Sequence, residues 1–280
     1  MVETNDEIEI SIADIRKLIE AIKNTYGYDL GNFALTSFKR RISRFLFAYN
    51  IYKTEDLISK ITTDKAIYNK FICDLRVDIT ELFRDPSFWR YFRDKTLQLL
   101  NNNYQRINIW LVNSSSGDEL FTLAIVLKEC NLFDKTNIYA TDCSEDILKN
   151  SKAGQFPFSK LEIAEANYRR FNDKGNFKDY YQLDKNNFLM NQNLLANTKF
   201  LTNDLTDNSP YKNIQVIISR NNFIYYNSNL QDNVTNLFYR NLALNGYLII
   251  GIKESLNGYR DVKKFIAESE NEKVYKKVEA

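Results

Sequence analysis

Two short stretches hold the residues best placed to do chemistry. Ile107-Asn-Ile-Trp-Leu-Val112 breaks into the small polar run Asn113-Ser-Ser-Ser-Gly117, then resumes with Leu120, Leu123, Ala124 and Leu127 at helical spacing. Ile138-Tyr-Ala-Thr-Asp142 is a second apolar run, and it ends on a carboxylate. The pattern predicts a strand, a small-residue loop, a helix and a second strand with an acid at its tip. In an open parallel sheet, ligands bind beyond the carboxyl ends of the strands, near the point where strand order reverses. A carboxylate in that place suits the hydroxyls of a ribose, so a nucleoside-bearing cofactor is the first expectation. The competing reading makes Asp142 only the cap of a helix that starts near Ser144.

What the loop lacks narrows the cofactor. It carries neither G-x-G-x-x-G nor G-x-x-x-x-G-K-[ST], so nothing in it is built to cradle a pyrophosphate or triphosphate. The whole chain has 8 glycines, which leaves few places for backbone to close on phosphate. A nucleoside without phosphates, such as S-adenosylmethionine, needs the acid and a close-approach loop but no anion nest. On these two stretches alone, a methyltransferase and a generic Rossmann-like domain both remain open.

Bulk properties remove other classes. A length of 280 residues fits one large or two ordinary domains with a substantial core. Lys and Arg total 38 against 36 Asp and Glu, a net charge of +2, so no general field for nucleic acid or membrane is implied. Cys73, Cys130 and Cys143 form no C-x-x-C pair and the chain has no histidine, which argues against a metal site of the zinc or haem kind. Scattered cysteines suit a reducing cytosol. The acidic start, Met1-Val-Glu-Thr-Asn-Asp-Glu7, precedes no apolar signal region, and no apolar run approaches membrane-spanning length. The expectation is a cytoplasmic monomer with no membrane insertion.

The elements that must position the chemistry change character once. Residues 1–76 read as an N-terminal all-helical domain, with Ile15, Leu18, Ile19 and Ile22 at helical spacing, a break at Gly27 and Gly31, and further helices over 34–49, 54–62 and 64–75. Residues 77–280 alternate strand and helix, with strands near 106–112, 137–142, 198–203, 214–219 and 246–252 and helices near 118–130, 144–151 and 228–243. That alternation predicts an α/β domain on a mainly parallel, Rossmann-like sheet. The aromatic interval at about 157–199 shows no clean periodicity and is too long for a simple crossover, so it is expected to be a small inserted subdomain. Lys273-Val-Tyr-Lys-Lys-Val278 predicts a last antiparallel strand.

Three further segments make the order recognisable. Asp78-Ile-Thr-Glu-Leu-Phe-Arg-Asp-Pro86 precedes the first strand of the sheet, Gly154-Gln-Phe156 follows the acidic strand and its helix, and Ser219-Arg-Asn-Asn-Phe-Ile-Tyr-Tyr226 follows the fourth. Together they resemble the CheR family, S-adenosylmethionine-dependent methyltransferases that esterify glutamates on chemotaxis receptors. That family runs N-x-T-x-F-F-R-D, then W-x-x-x-C-S-x-G-E-E-x-Y-S-L-A, A-T-D, F-x-x-x-N-L, C-R-N-x-x-I-Y-F and a strand ending G-x-S-E. Several short matches in the right order cover nearly the whole chain.

The resemblance implies protein-glutamate O-methylation with S-adenosylmethionine as cofactor. It places Thr80 and Arg84 beside the methyl-donor end, Glu119 in the loop-helix wall and Asp142 on the ribose. Asp204 and Leu205 flank the adenine, and Asn221, Asn222 and Tyr225 close the site. Asp78, Asn113 and Cys143 join the cofactor contacts, and Arg84 and Tyr225 are the implied catalytic pair. Simpler roles compete: Asp78 and Glu81 match a capping box, and Glu119 can complement a helix N-terminus. The chain departs from the pattern where Asn113 replaces glycine, Asp78 and Asp204 replace asparagine, Leu120 replaces proline and Leu82 replaces the first phenylalanine. On the helix over 34–49, Arg40, Arg41 and Arg44 gather on one flank, and the resemblance makes that flank a contact for the acidic helices of a receptor's cytoplasmic domain; ordinary solvated arginines are the alternative. A catalytically degenerate regulatory relative and a small-molecule methyltransferase of the same fold are the competing functions.

Overall fold

The computed structural model of the chain describes residues 10–27, 30–31, 35–75, 80–203, 205, 211–257 and 259–279. Two compact units divide it: the described residues of Met1–Val77 with Phe223–Asn233, and those of Asp78–Asn222 with Val234–Ala280.

The first unit is helical because its apolar residues recur every three or four positions. Helix α1 (Ile12–Tyr26) starts on Ser11, whose hydroxyl accepts from the Asp14 N–H at 3.1 Å, and it stops at Gly27 with φ 72°. Ile15, Leu18 and Ile22 bury the inner face of α1. Helices α2 (Leu35–Ala48), α3 (Thr54–Thr63) and α4 (Lys65–Leu75) follow, with Phe38, Ile42, Phe45 and Leu46 forming the buried stripe of α2. Phe45 meets Phe71 of α4 edge-on at 5.0 Å.

The second unit opens with α5 (Pro86–Tyr91), a single π-turn over Phe92–Thr96 and α6 (Leu97–Asn103). It then alternates: β1 (Ile107–Val112), α7 (Asp118–Glu129), β2 (Thr136–Asp142), α8 (Glu145–Ala153), β3 (Gln155–Pro157), α9 (Leu161–Phe171), β4 (Tyr181–Asp184), β5 (Asn187–Met190) and β6 (Thr198–Thr202). It ends with β7 (Ile214–Ser219), the part of α10 (Ser228–Asn241) from Val234 on, β8 (Leu242–Ile250), β9 (Phe265–Ser269) and β10 (Val274–Lys277). The main sheet has seven strands in the order β6-β2-β1-β7-β8-β10-β9. Its first five run parallel, as the strand-helix alternation requires, while β10 is antiparallel to β8 and β9. Strands β1 and β7 are buried on both faces, so they read as continuous apolar runs.

Three boundaries differ from the sequence reading. Strand β8 starts at Leu242, directly where α10 ends, and not near 246. Asn245 at φ 63° and Gly246, hemmed in by the Ala243 and Gln215 carbonyls, let β8 shift register against β7. Strand β9 has no clean alternation and was not anticipated. Within the interval at about 157–199, α9 does carry helical spacing in Leu161, Ala164, Tyr168 and Phe171, but surrounding aromatics hide it. The interval also contributes β4 and β5, which with β3 just before it form a separate three-stranded antiparallel sheet, β3-β5-β4.

Gly154 joins α8 to that small sheet and allows a direct test of packing. It holds φ 59°, and a Cβ there would lie 2.5 Å from the ring of the fully buried Phe121. Gly154→Ala combines overpacking with backbone strain and should cost about 1–3 kcal/mol. A urea unfolding midpoint unchanged from the parent would show that the ring gives way freely.

Candidate functional site

Strand order reverses between β1 and β7, because β1 is followed along the chain by its neighbour on the other side, β2. The loops after β1 and β7 therefore splay apart at their carboxyl ends and leave a crevice. A pocket occupies it, lined by Thr80, Arg84, Trp89, Asn113, Ser114, Glu119, Arg220 and Asn221 among others.

The wall that carries Arg84 is a strained turn, with Phe83 at φ 55° and Asp85 at φ 56° on either side of it. A left-handed phenylalanine costs on the order of 1–3 kcal/mol and persists only where neighbours enforce it. Here the Phe83 N–H donates to Thr122 Oγ1 at 2.9 Å. Asn167 Nδ2 donates to the Leu82 carbonyl at 3.2 Å, and Lys160 Nζ to the Thr80 carbonyl at 3.0 Å. Residues 82–85 are turn and bend and Glu81 lies in no helix, while Asp78, its partner in the capping-box reading, lies outside the described residues. Pro86 opens α5 at its first position, where its missing N–H is no loss.

Arg220 holds this wall to the sheet, and the sequence reading passed over it. It is 5% exposed at the end of β7. One terminal nitrogen donates to Glu119 Oε1 at 2.7 Å and the other to Asp85 Oδ2 at 2.5 Å. Its guanidinium also lies 4.5 Å from the Phe88 ring centroid. The signal was present as the central letter of C-R-N, but a lone arginine says nothing about two carboxylates 101 and 135 positions away.

The opposite rim is set by asparagines and buried carboxylates. Asn113 takes φ 58°, the left-handed backbone that a glycine would otherwise supply, and its Nδ2 donates to Asn222 Oδ1 at 2.7 Å. Asn221 takes φ 60°, and its N–H donates to Glu254 Oε2 at 2.9 Å. Asp142, 1% exposed, accepts from the Ser115 N–H at 2.9 Å and the Cys143 N–H at 2.8 Å. It ties the β1 loop to the tip of β2, while Ser144, not Asp142, caps α8 by accepting from the Ile147 N–H at 3.2 Å. Leu205 sits at φ 63° with its N–H on Asn203 Oδ1 at 2.6 Å. Asp78 and Asp204 lie outside the described residues.

The structure thus brings Thr80, Arg84, Asn113, Glu119 and Asn221 around one pocket, with Asn222 and Asp142 bonded to its rim. Tyr225 is not among the lining residues; it belongs to the helical unit, its ring 4.0 Å beneath the guanidinium of Arg41. Arg41 also donates to the Leu75 carbonyl, which separates it from the exposed Arg40 and Arg44 on the same helix.

Burial raises the Glu119 carboxyl above the ordinary carboxylate range, with the Arg220 charge working against the rise. Burial likewise raises Asp118, opposed by Lys160, whose ammonium lies 3.1 Å away. A carboxyl raised on folding keeps its proton at pH values where the unfolded chain has lost it. Stability then falls as pH rises from the ordinary carboxylate value through the raised one, by at most about 1.4 kcal/mol per pH unit for one proton. Glu119→Gln should remove its share, giving a flatter profile of unfolding free energy over that window. Parallel profiles for parent and variant would show that Glu119 titrates normally.

Among the described residues, three buried polar atoms on the pocket wall have no hydrogen-bond partner: Trp89 Nε1, Ser114 Oγ and Arg220 Nε. Unmatched donors in a wall cost free energy unless something polar meets them.

Comparison with known proteins points the same way. A family model described as CheR methyltransferase, SAM binding domain, matches residues 78–271. A Pseudomonas putida protein bearing the name Cher3 is 32% identical over 255 residues, which cover 91% of this chain and 91% of that one. Chemotaxis protein methyltransferase of Borreliella burgdorferi is 26% identical over 271 residues, covering 92% and 93% respectively. Chemotaxis protein methyltransferase 1 of Vibrio cholerae is 27% identical over 273 residues, covering 91% and 93%.

Proposed function

The chain belongs to the CheR methyltransferase family, and on that footing we propose that it moves a methyl group from S-adenosylmethionine to glutamate side chains of chemotaxis receptors. The observation that carries this reading is a switch-point pocket with Arg84 on a braced turn and unmatched donors in its wall. Those donors, with Thr80 and the left-handed loop at Asn113, fit a polar cofactor that lacks phosphates. When bound, S-adenosylmethionine supplies an electrophilic methyl group on a sulfonium.

The chain's own residues have a modest chemical task. A glutamate is already ionised at neutral pH, so displacement at the methyl needs no general base, and a chain with no histidine loses nothing by it. Orientation and exclusion of water carry the reaction, and they can lower a barrier by about 7–11 kcal/mol. Arg84 grips one carboxylate oxygen of the substrate with its rigid fork and leaves the other to attack. Asp142, fixed at the tip of β2, accepts from the ribose hydroxyls, and Asn221 and Asn222 hold the far rim. Arg40 and Arg44, exposed on α2, meet the acidic face of the receptor helix, while Arg41 is committed to Leu75 and Tyr225.

The product would be a methyl ester, which mild base hydrolyses to methanol. Purified protein with tritiated cofactor and receptor-bearing membranes should give base-labile volatile counts. Replacing Arg40 and Arg44 with glutamine should raise the apparent KM for receptor, and the difference should shrink with salt as exposed charges are screened. Firm cofactor binding without volatile counts from several receptors would remove glutamate methylation as the activity.

A further inference from the structure

Away from the cofactor pocket, and sharing no lining residue with it, the second unit has another hollow of about 510 Å³. It lies where α5 and the π-turn after it meet the end of α9. Arg90, Arg93, Arg169, Arg170 and Lys174 line it, with Asp173 as the one carboxylate in the wall among the described residues.

Part of this charge has a structural use. Arg90 donates to the Arg170 carbonyl and Arg93 Nη1 to the Phe171 carbonyl at 3.1 Å, so the two arginines cap the last turn of α9. Arg93 also grips Asp94 through Nε at 2.6 Å and Nη2 at 3.0 Å. Capping does not account for the rest. Five cations line the hollow against Asp173 in its wall and Asp94 and Glu129 beside Arg93, a surplus of two charges, whereas a helix C-terminus presents only about half a negative charge. Arg169 and Arg170 are exposed, and their guanidinium groups have no hydrogen-bond or ion-pair partner among the described residues. Like charges converging on one hollow repel unless an anion joins them.

We propose that this hollow is a binding site for a small anion carrying two or more phosphate groups. Its volume falls in the range of small-molecule sites and exceeds what one phosphate fills. Guanidinium forks match phosphate oxygens two at a time, and Arg169 and Arg170 have donors to spare. The cations come from α5, the π-turn, α9 and the loop after it, converging on one volume as a compact ligand requires; an extended acidic peptide would be better served by a linear track.

Calorimetric titration of the full chain with tripolyphosphate tests this at moderate salt. Saturable binding near one to one is expected, weakened at least tenfold in the Arg169→Gln/Arg170→Gln double variant. The same number of exposed charges removed on α8, by Lys149→Gln/Lys152→Gln, should leave the affinity within twofold. No saturable binding would overturn the proposal, and so would equal losses in the two double variants. Binding of a polyglutamate peptide but not tripolyphosphate would also overturn it, marking the hollow as a contact for an acidic protein segment.

Discussion

Arg220→Met should cost the folded protein about 3–5 kcal/mol, the scale for removing one partner of a buried ion network. Asp85 and Glu119 would then face each other with no cation between them, and Phe88 would lose the guanidinium on its face. The penalty lies in the carboxylates left behind more than in the bonds removed. Neutralising them should therefore recover most of the loss, so Arg220→Met/Asp85→Asn/Glu119→Gln is expected to unfold nearer the parent than the single variant does. Urea unfolding followed by circular dichroism reads both. A single-variant loss under about 1 kcal/mol would mean that solvent reaches the carboxylates and the network is weak.

Arg84→Ala should lower the rate of methyl transfer by about 10²–10³, the usual effect of deleting one preorganised charged donor at a reacting centre. Affinity for S-adenosylhomocysteine should stay within a few-fold, because the proposed role of Arg84 is on the substrate carboxylate. The backbone of this turn keeps its own ties in the variant, since Thr80, Leu82 and Phe83 are bonded to Lys160, Asn167 and Thr122. Arg84→Lys keeps the charge but not the fork, and should recover only part of the rate. If cofactor affinity falls in step with rate, Arg84 belongs to the cofactor and not to the nucleophile.

The sequence makes some of this architecture legible and conceals other parts, for physical reasons. The β1 loop, α7 and Asp142 are readable because period-two and period-3.6 patterns are local and the polar break between them is short. Asn113 at a left-handed turn is readable too, since few other side chains accept that backbone. Arg220 is not, because its importance arises only when two distant loops deliver carboxylates to it. Helix α9 is obscured since Tyr168, Phe171 and Phe177 pack with Phe83 into one aromatic cluster, which blurs the apolar stripe.

The left-handed asparagines have a consequence for the chain before it folds. Asn50, Asn113, Asn131, Asn213, Asn221 and Asn245 hold φ between 52° and 63° in places where glycine is the commoner solution. A denatured glycine wanders over both signs of φ, and folding must take all of that freedom away. An asparagine wanders less, so the exchange gains through the denatured ensemble what it partly returns as strain in a left-handed native backbone. None of that gain corresponds to a contact. Returning Asn221 or Asn113 to glycine would enlarge the disorder from which the rim must be recovered, and at Asn113 it would also remove the hydrogen bond to Asn222.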